Sequence, residues 1–126
     1  RHETRLAADE ERALLFKELA EGRGPGRRAV VGLRPTLAAL AAGRAHTVLL
    51  APEVARKRMA WFGPGPNEVA ARPEALAPAR EAAKKGHLDD VAVRAAILTG
   101  ADVRILGPDY LDRPTDGIAA LCRFTA

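Results

Sequence analysis

Few residues in this chain could make or break bonds. Its histidines are His2, His46 and His87, and its one cysteine is Cys122. A metal site or an acid–base pair needs several such groups on one face. No histidine here is spaced from a cysteine or carboxylate as metal ligands are. His2 sits at the chain end, His46 starts an apolar run and His87 follows Lys-Lys-Gly, so each reads as a surface residue. Cys122 closes the run Ile118-Ala119-Ala120-Leu121-Cys122 and reads as core packing. A lone thiol can form no internal disulfide. The glycine-rich segment from Gly22 to Arg28 lacks the Gly-Lys-Ser/Thr ending of a phosphate-cradling loop. It reads as a solvated connector or as a basic finger against a phosphate backbone. No catalytic residue, metal site or cofactor is expected.

Binding chemistry is better represented. Arg56-Lys57-Arg58 runs straight into Met59, Trp61 and Phe62. Cations beside aromatics can hold phosphate while a ring stacks on a base or a protein surface. The same rings could instead anchor a loop to the core, because aromatics are only 4% of the chain. Charge points the same way. Residues 1–22 carry a net −2, residues 23–61 a net +7 and residues 62–126 a net −1. A basic segment inside a balanced domain suggests a polyanionic partner. The candidate RNA- or ribosome-binding residues are Arg23, Arg27, Arg28, Arg34, Arg56, Lys57 and Arg58. Trp61 and Phe62 are the candidate contacts for a protein partner.

These residues need a scaffold. A chain of 126 residues with 48% hydrophobic residues can bury one core without staples. Its apolar runs are too short to cross a bilayer, and neither end reads as a secretory signal, so a cytoplasmic protein without a membrane partner is expected. Leu6, Ala13, Leu15, Leu19 and Ala20 predict a helix over about 4–21, with Arg5 and Asp9 paired one turn apart and Gly22 as its stop. Ala29-Val30-Val31 predicts a short strand, residues 35–42 a helix and residues 47–51 a strand buried on both faces. Residues 54–60 read as a short helix, 61–66 as a turn, 68–71 as an edge strand and 74–85 as helical. Asp89 or Asp90 would cap a helix over 91–99 closed by Gly100. Strands follow at 102–106 and 118–124, and Arg123 could be partly buried against a carboxylate. Helices alternating with apolar strands imply a sheet covered on both faces.

Three ordered segments carry a resemblance. They are Val31-Gly32-Leu33-Arg34-Pro35-Thr36-Leu37 continuing to Leu50, Asp90-Val91-Ala92-Val93-Arg94 continuing to Arg104, and Asp116-Gly117-Ile118-Ala119-Ala120-Leu121-Cys122-Arg123-Phe124. This order resembles the C-terminal domain of archaeal and eukaryotic class-I peptide chain release factors and of Pelota. Trp61-Phe62-Gly63-Pro64 is similar to the bacterial branch, which includes actinobacterial release-factor-like proteins and the hibernation factor Balon. The resemblance covers about residue 29 onward and leaves 1–28 as an N-terminal helix and basic loop packed on the same domain. It implies an α/β fold, a three-layer α/β/α sandwich with a mixed central sheet like that of the kink-turn-binding ribosomal proteins. Those proteins carry Gly-x-Asn-Glu-x-x-Lys at the second helix. Here the frame reads Gly32-Leu33-Arg34-Pro35-Thr36-Leu37-Ala38. Pro35 and Ala38 offer no side-chain hydrogen bond, which argues against base-specific kink-turn reading.

The resemblance implies a C-terminal, non-catalytic ribosome- and protein-binding domain of a bacterial translation, hibernation or stress factor. Its expected partners are the ribosome or ribosomal RNA and a translational GTPase, not DNA. A standalone RNA-binding domain is one alternative. The other is part of a peptidyl-tRNA hydrolase whose Gly-Gly-Gln loop lies in a preceding domain, since no Gly-Gly-Gln occurs here. The charged opening helix suggests a fragment of a longer protein.

Overall fold

The uniformly apolar run near residue 48 becomes the centre of a sheet. The computed structural model describes residues 3–22, 28–76, 79–111 and 115–123, with only the backbone of 79 and 80. In chain order its elements are β1 (Thr4–Leu6), α1 (Asp9–Gly22), β2 (Ala29–Val31), α2 (Leu33–Ala41), β3 (Ala45–Leu50), α3 (Pro52–Ala55), β4 (Met59–Phe62) and β5 (Val69–Ala70). Two 3-10 turns follow, Pro73–Leu76 and Ala79–Ala82, then β6 (Lys84–His87), α4 (Leu88–Thr99), β7 (Asp102–Ile105) and β8 (Ile118–Cys122). A five-stranded sheet has the order β1-β7-β3-β8-β2. β1, β7 and β3 run parallel, and β8 runs antiparallel to β3 and β2, so the sheet is mixed.

Strand periodicity divides the side chains between two layers. Val48, Leu50, Val103, Ile118, Ala120 and Cys122 pack with Leu37, Leu40, Leu88 and Val91 of α2 and α4. Leu49, Leu106, Ala119 and Leu121 pack on the opposite face with Leu19 of α1. The fold is therefore the expected α/β/α sandwich around a mixed sheet. β8 is buried at every position, as a central strand covered on both faces must be.

A second sheet was not expected from the sequence. β5, β4 and β6 form an antiparallel sheet in that order. The helix expected over 54–60 is one turn, after which β4 takes Met59, Ala60, Trp61 and Phe62. Trp61 and Phe62 thus lie in a strand, not in a turn. The helical composition of 74–85 is overridden twice, by 3-10 turns and then by pairing of Lys84–His87 with β4. That run also holds Pro78, which cannot donate a helical hydrogen bond. The edge strand near 69 forms as expected.

The N-terminal helix is also shorter than expected. Thr4–Leu6 adds instead to the open edge of β7, and Leu6 is 65% exposed. Local periodicity cannot see an edge about a hundred residues away. Arg5 consequently pairs with Glu3 and Glu11, while Asp9 pairs with Arg12. Asp89 and Asp90 lie in the first turn of α4, where they favour the helix dipole, and the cap position is His87. Gly100 ends that helix in the left-handed conformation, as expected. Arg123 is exposed, and its N–H donates to the Arg44 carbonyl at 2.7 Å. The arginine held among carboxylates is Arg104, whose side chain is 12% exposed beside Glu3, Glu11 and Asp102.

Candidate functional site

The basic segment splits between the two ends of the central sheet. Ala45 pairs with Cys122 and Leu50 pairs with Ile118, so β8 separates its ends by roughly 13 Å. Arg28 and Arg44 lie at the Cys122 end. Arg34, Lys57 and Arg58 lie at the Asp116 end, beside the start of β8. Arg23 and Arg27, with His2, lie outside the described residues.

At the Asp116 end the site begins with backbone. Asp116 has a φ of +58°, which short polar side chains tolerate best. Gly117 follows at φ +71°, and a Cβ there would lie 2.7 Å from Ala55 N and 2.8 Å from the Ala51 carbonyl. Only glycine lets this turn press against α3. The turn aims the Asp116 carboxylate at the start of α2, where Oδ2 accepts the Leu33 N–H at 3.1 Å. Oδ1 accepts from the Arg58 guanidinium. Asp116 thereby satisfies a helix N–H and pins Arg58 in one contact. Pro35 sits in the first turn of α2, where its missing N–H breaks no helical bond.

Two clefts share the Arg58–Asp116 pair. One, of about 330 Å³, adds Gly32, Arg34, Met59 and Ala71. The other, of about 280 Å³, adds Val54 and Lys57. Arg34 and Lys57 are exposed and have no carboxylate partner among the described residues. They flank a third cation, Arg58, whose charge Asp116 already offsets. Arg56 differs again, because its guanidinium lies 4.0 Å from Asp89 and its carbonyl accepts from His87 Nδ1 at 2.7 Å.

At the Cys122 end a cleft of about 350 Å³ is lined by Glu18, Arg28, Ala29, His46, Leu121, Cys122 and Arg123. Cys122 itself is 2% exposed. Burial pushes its thiol pKa up, against the weaker opposing pull of Arg44. It is a packed core residue rather than a thiolate nucleophile. His46 is exposed and bonds Thr47 Oγ1 at 2.7 Å. Among the described residues no group of three or more His, Cys, Asp or Glu could hold a metal ion.

The expected aromatic pair is divided by the strand that carries it. Phe62 turns to the core, with the Arg94 guanidinium 4.8 Å from its ring centroid. Trp61 turns to the other face of the small sheet and is half-buried, with Lys85 Nζ 6.0 Å from its ring centroid. The two rings cannot form one contact patch. Lys85 was not singled out in the sequence and His87 was read there only as a surface residue; the pairing of β4 with β6 reveals them as neighbours of Trp61 and Met59.

No family model matches the chain, and no curated protein matches it. Among solved structures the fold matches the C-terminal domain of a peptide chain release factor from Methanosarcina mazei, with a TM-score of 0.57 at 17% identity. The match covers 90% of this chain and 79% of that one. Among the described residues no helix is long and apolar enough to cross a membrane.

Proposed function

We propose that this chain is a ribosome-associated contact domain of a translation factor, not catalytic by itself. The observation that carries the reading is the pair of exposed cations, Arg34 and Lys57, which line the clefts sharing the Arg58–Asp116 contact and have no carboxylate partner among the described residues. Such a site suits the phosphate backbone of folded RNA, where affinity comes from charge and sequence discrimination is weak. The release-factor-like fold supports a ribosomal partner, and a translational GTPase is the protein partner that fits the same reading. A bacterial hibernation or stress factor is the finer form of this proposal.

Kink-turn recognition is disfavoured by the start of α2. Pro35 and Ala38 are both exposed there and present no donor or acceptor side chain to a base. Pelleting of the intact chain with ribosomes across a salt series tests the proposal. Binding at low salt that weakens steeply as salt rises is expected. Absence of the folded chain from the ribosome pellet at low salt overturns it. A gel shift with a kink-turn RNA and a plain hairpin separates the second reading, since marked preference for the kink-turn would show that α2 reads bases after all.

A further inference from the structure

The small sheet has one face that the packing of the domain leaves unexplained. β4 is its central strand, with β6 on one side and β5 on the other. Cross-strand partners share a face. Ala60 faces Gly86, and Phe62 faces Lys84 and Val69. Ala60 and Val69 belong to the core, so this is the inner face. α4 presses against it so closely that a Cβ on Gly86 would lie 3.2 Å from Val91 Cγ2 and 3.5 Å from Phe62. The alternate residues must therefore point outward. They are Met59 opposite His87, and Trp61 opposite Lys85 and Ala70.

This outer face has a defined chemistry. Met59 is 38% exposed, Trp61 is half-buried, and Lys85 and His87 are exposed. Its strand positions supply one aromatic ring, one polarisable thioether, one imidazole and one ammonium, and no carboxylate. The ammonium already stands over the indole, 6.0 Å from its centroid. The turn entering β4 adds Arg56 and Lys57, both exposed. His87 is oriented by its bond to the Arg56 carbonyl. A half-buried indole held by a sheet is a fixed platform, and fixed platforms with flanking cations suit planar bases strung on a phosphate chain.

We propose that the outer face of the small sheet binds unpaired RNA, with a base stacked at Trp61 and the neighbouring phosphates held by Lys85, His87 and Lys57. The choice of RNA over DNA rests on the ribosomal reading above, whereas the stacking geometry does not. Paired bases in a duplex cannot present their faces to the indole, so a single-stranded partner is required. The face adjoins the clefts at the Asp116 end, sharing Met59 with one and Lys57 with the other, while Trp61, Lys85 and His87 line neither of the two.

The chain's one tryptophan makes the test direct. The intact chain is titrated with an eight-nucleotide uridine-rich RNA while Trp61 emission is followed at low salt. Saturable quenching is expected, with at least fivefold weaker binding of a duplex of equal length. For variants the readout is anisotropy of a labelled octamer, with the thermal melt as the fold control. Trp61→Leu should lower affinity about tenfold and Trp61→Phe should restore most of it. Lys85→Ala with His87→Ala should lower it several-fold. No quenching, equal binding of duplex, or undiminished binding by folded Trp61→Leu overturns the proposal. Equal binding of a DNA octamer overturns the assignment to RNA. If the octamer binds while ribosomes do not, the ribosomal reading fails and the stacking face stands. If ribosomes bind and the octamer does not, the reverse holds.

Discussion

The two ends of the central sheet are near-equal in cavity size and opposite in design. The cleft beside Asp116 is about 330 Å³ and the cleft beside Cys122 about 350 Å³. The first gathers Arg34 and Arg58 from the basic segment, whereas the second draws Arg28 from it and adds Arg123. At the Asp116 end a single carboxylate caps α2 and fixes Arg58, leaving Arg34 and Lys57 to solvent. At the Cys122 end Arg28, His46 and Arg123 surround Ala29, Leu121 and a buried thiol, with Glu18 among them. Net charge along the sequence is thus a poor guide to function. What differs is whether a carboxylate holds one of the lining arginines, and between these two clefts only Asp116 is seen to do so, for Arg58.

That difference can be broken most severely at Gly117. Replacement by alanine sets a Cβ against backbone atoms of Ala51 and Ala55 at a left-handed φ. A loss of about 3 kcal/mol or more in urea unfolding is expected, combining strain with overpacking. A loss under about 1 kcal/mol would mean that the turn is not rigid.

Asp116→Ala comes next. It removes the partner of the Leu33 N–H and of Arg58, and should cost about 1–2 kcal/mol in the same assay. Asp116→Asn tolerates the left-handed backbone and keeps an acceptor for Leu33, so it should recover about half of that loss. Equal losses for the two variants would reduce the carboxylate's role to its charge on Arg58.

The Cys122 end gives a smaller, chemical contrast. With its thiol buried and its pKa raised, Cys122 should react with an aromatic disulfide reagent at least tenfold more slowly in the folded chain than in denaturant. Equal rates would show that this end opens readily. The smallest expected effect lies at neither end. The Glu11 carboxyl is held below its usual range, first by its hydrogen bonds to Arg5 and then by Arg104, with partial burial opposing. Its folded pKa is lower than its unfolded one, so the stabilisation is present above the unfolded value and fades as pH falls through the folded one. Urea midpoints of the wild type and Glu11→Gln should therefore converge below about pH 4. A gap that persists at low pH would assign Glu11 a packing role only.

These contrasts also mark how far the sequence could be read. The central strands were legible because runs such as Val48-Leu49-Leu50 are apolar at every position, and burial on both faces is their simplest cause. Gly43 and Gly100 ended α2 and α4 as expected, each with a positive φ. β1 and β6 were not legible. Thr4–Leu6 and Lys84–His87 carry no strand signature of their own, and each forms because a distant edge offers hydrogen bonds. The same limit hid part of the candidate surfaces. Arg34 and the run at 56–58 stood out by charge, but that Arg34, Lys57 and Arg58 share one end with Asp116, about sixty residues beyond Lys57, while Arg56 pairs with Asp89, is visible only in the fold. Trp61 and Phe62 looked like one patch because they are adjacent, and the two-residue period of a strand sent them to opposite faces.

The proposed ribosome binding rests on Arg34 and Lys57 at the Asp116 end, which are exposed and have no carboxylate partner among the described residues. Arg56 and Arg58 are paired with Asp89 and Asp116, so their removal would alter those contacts as well as the surface charge. The direct test leaves them intact and replaces only Arg34 and Lys57 with alanine, alongside a control replacing Arg28 and Arg123. Pelleting with ribosomes at low salt should weaken about tenfold or more for the first pair and less than twofold for the second, with both variants melting within a few degrees of the wild type. Ribosome binding that survives loss of Arg34 and Lys57, or that is lost instead with Arg28 and Arg123, would contradict it.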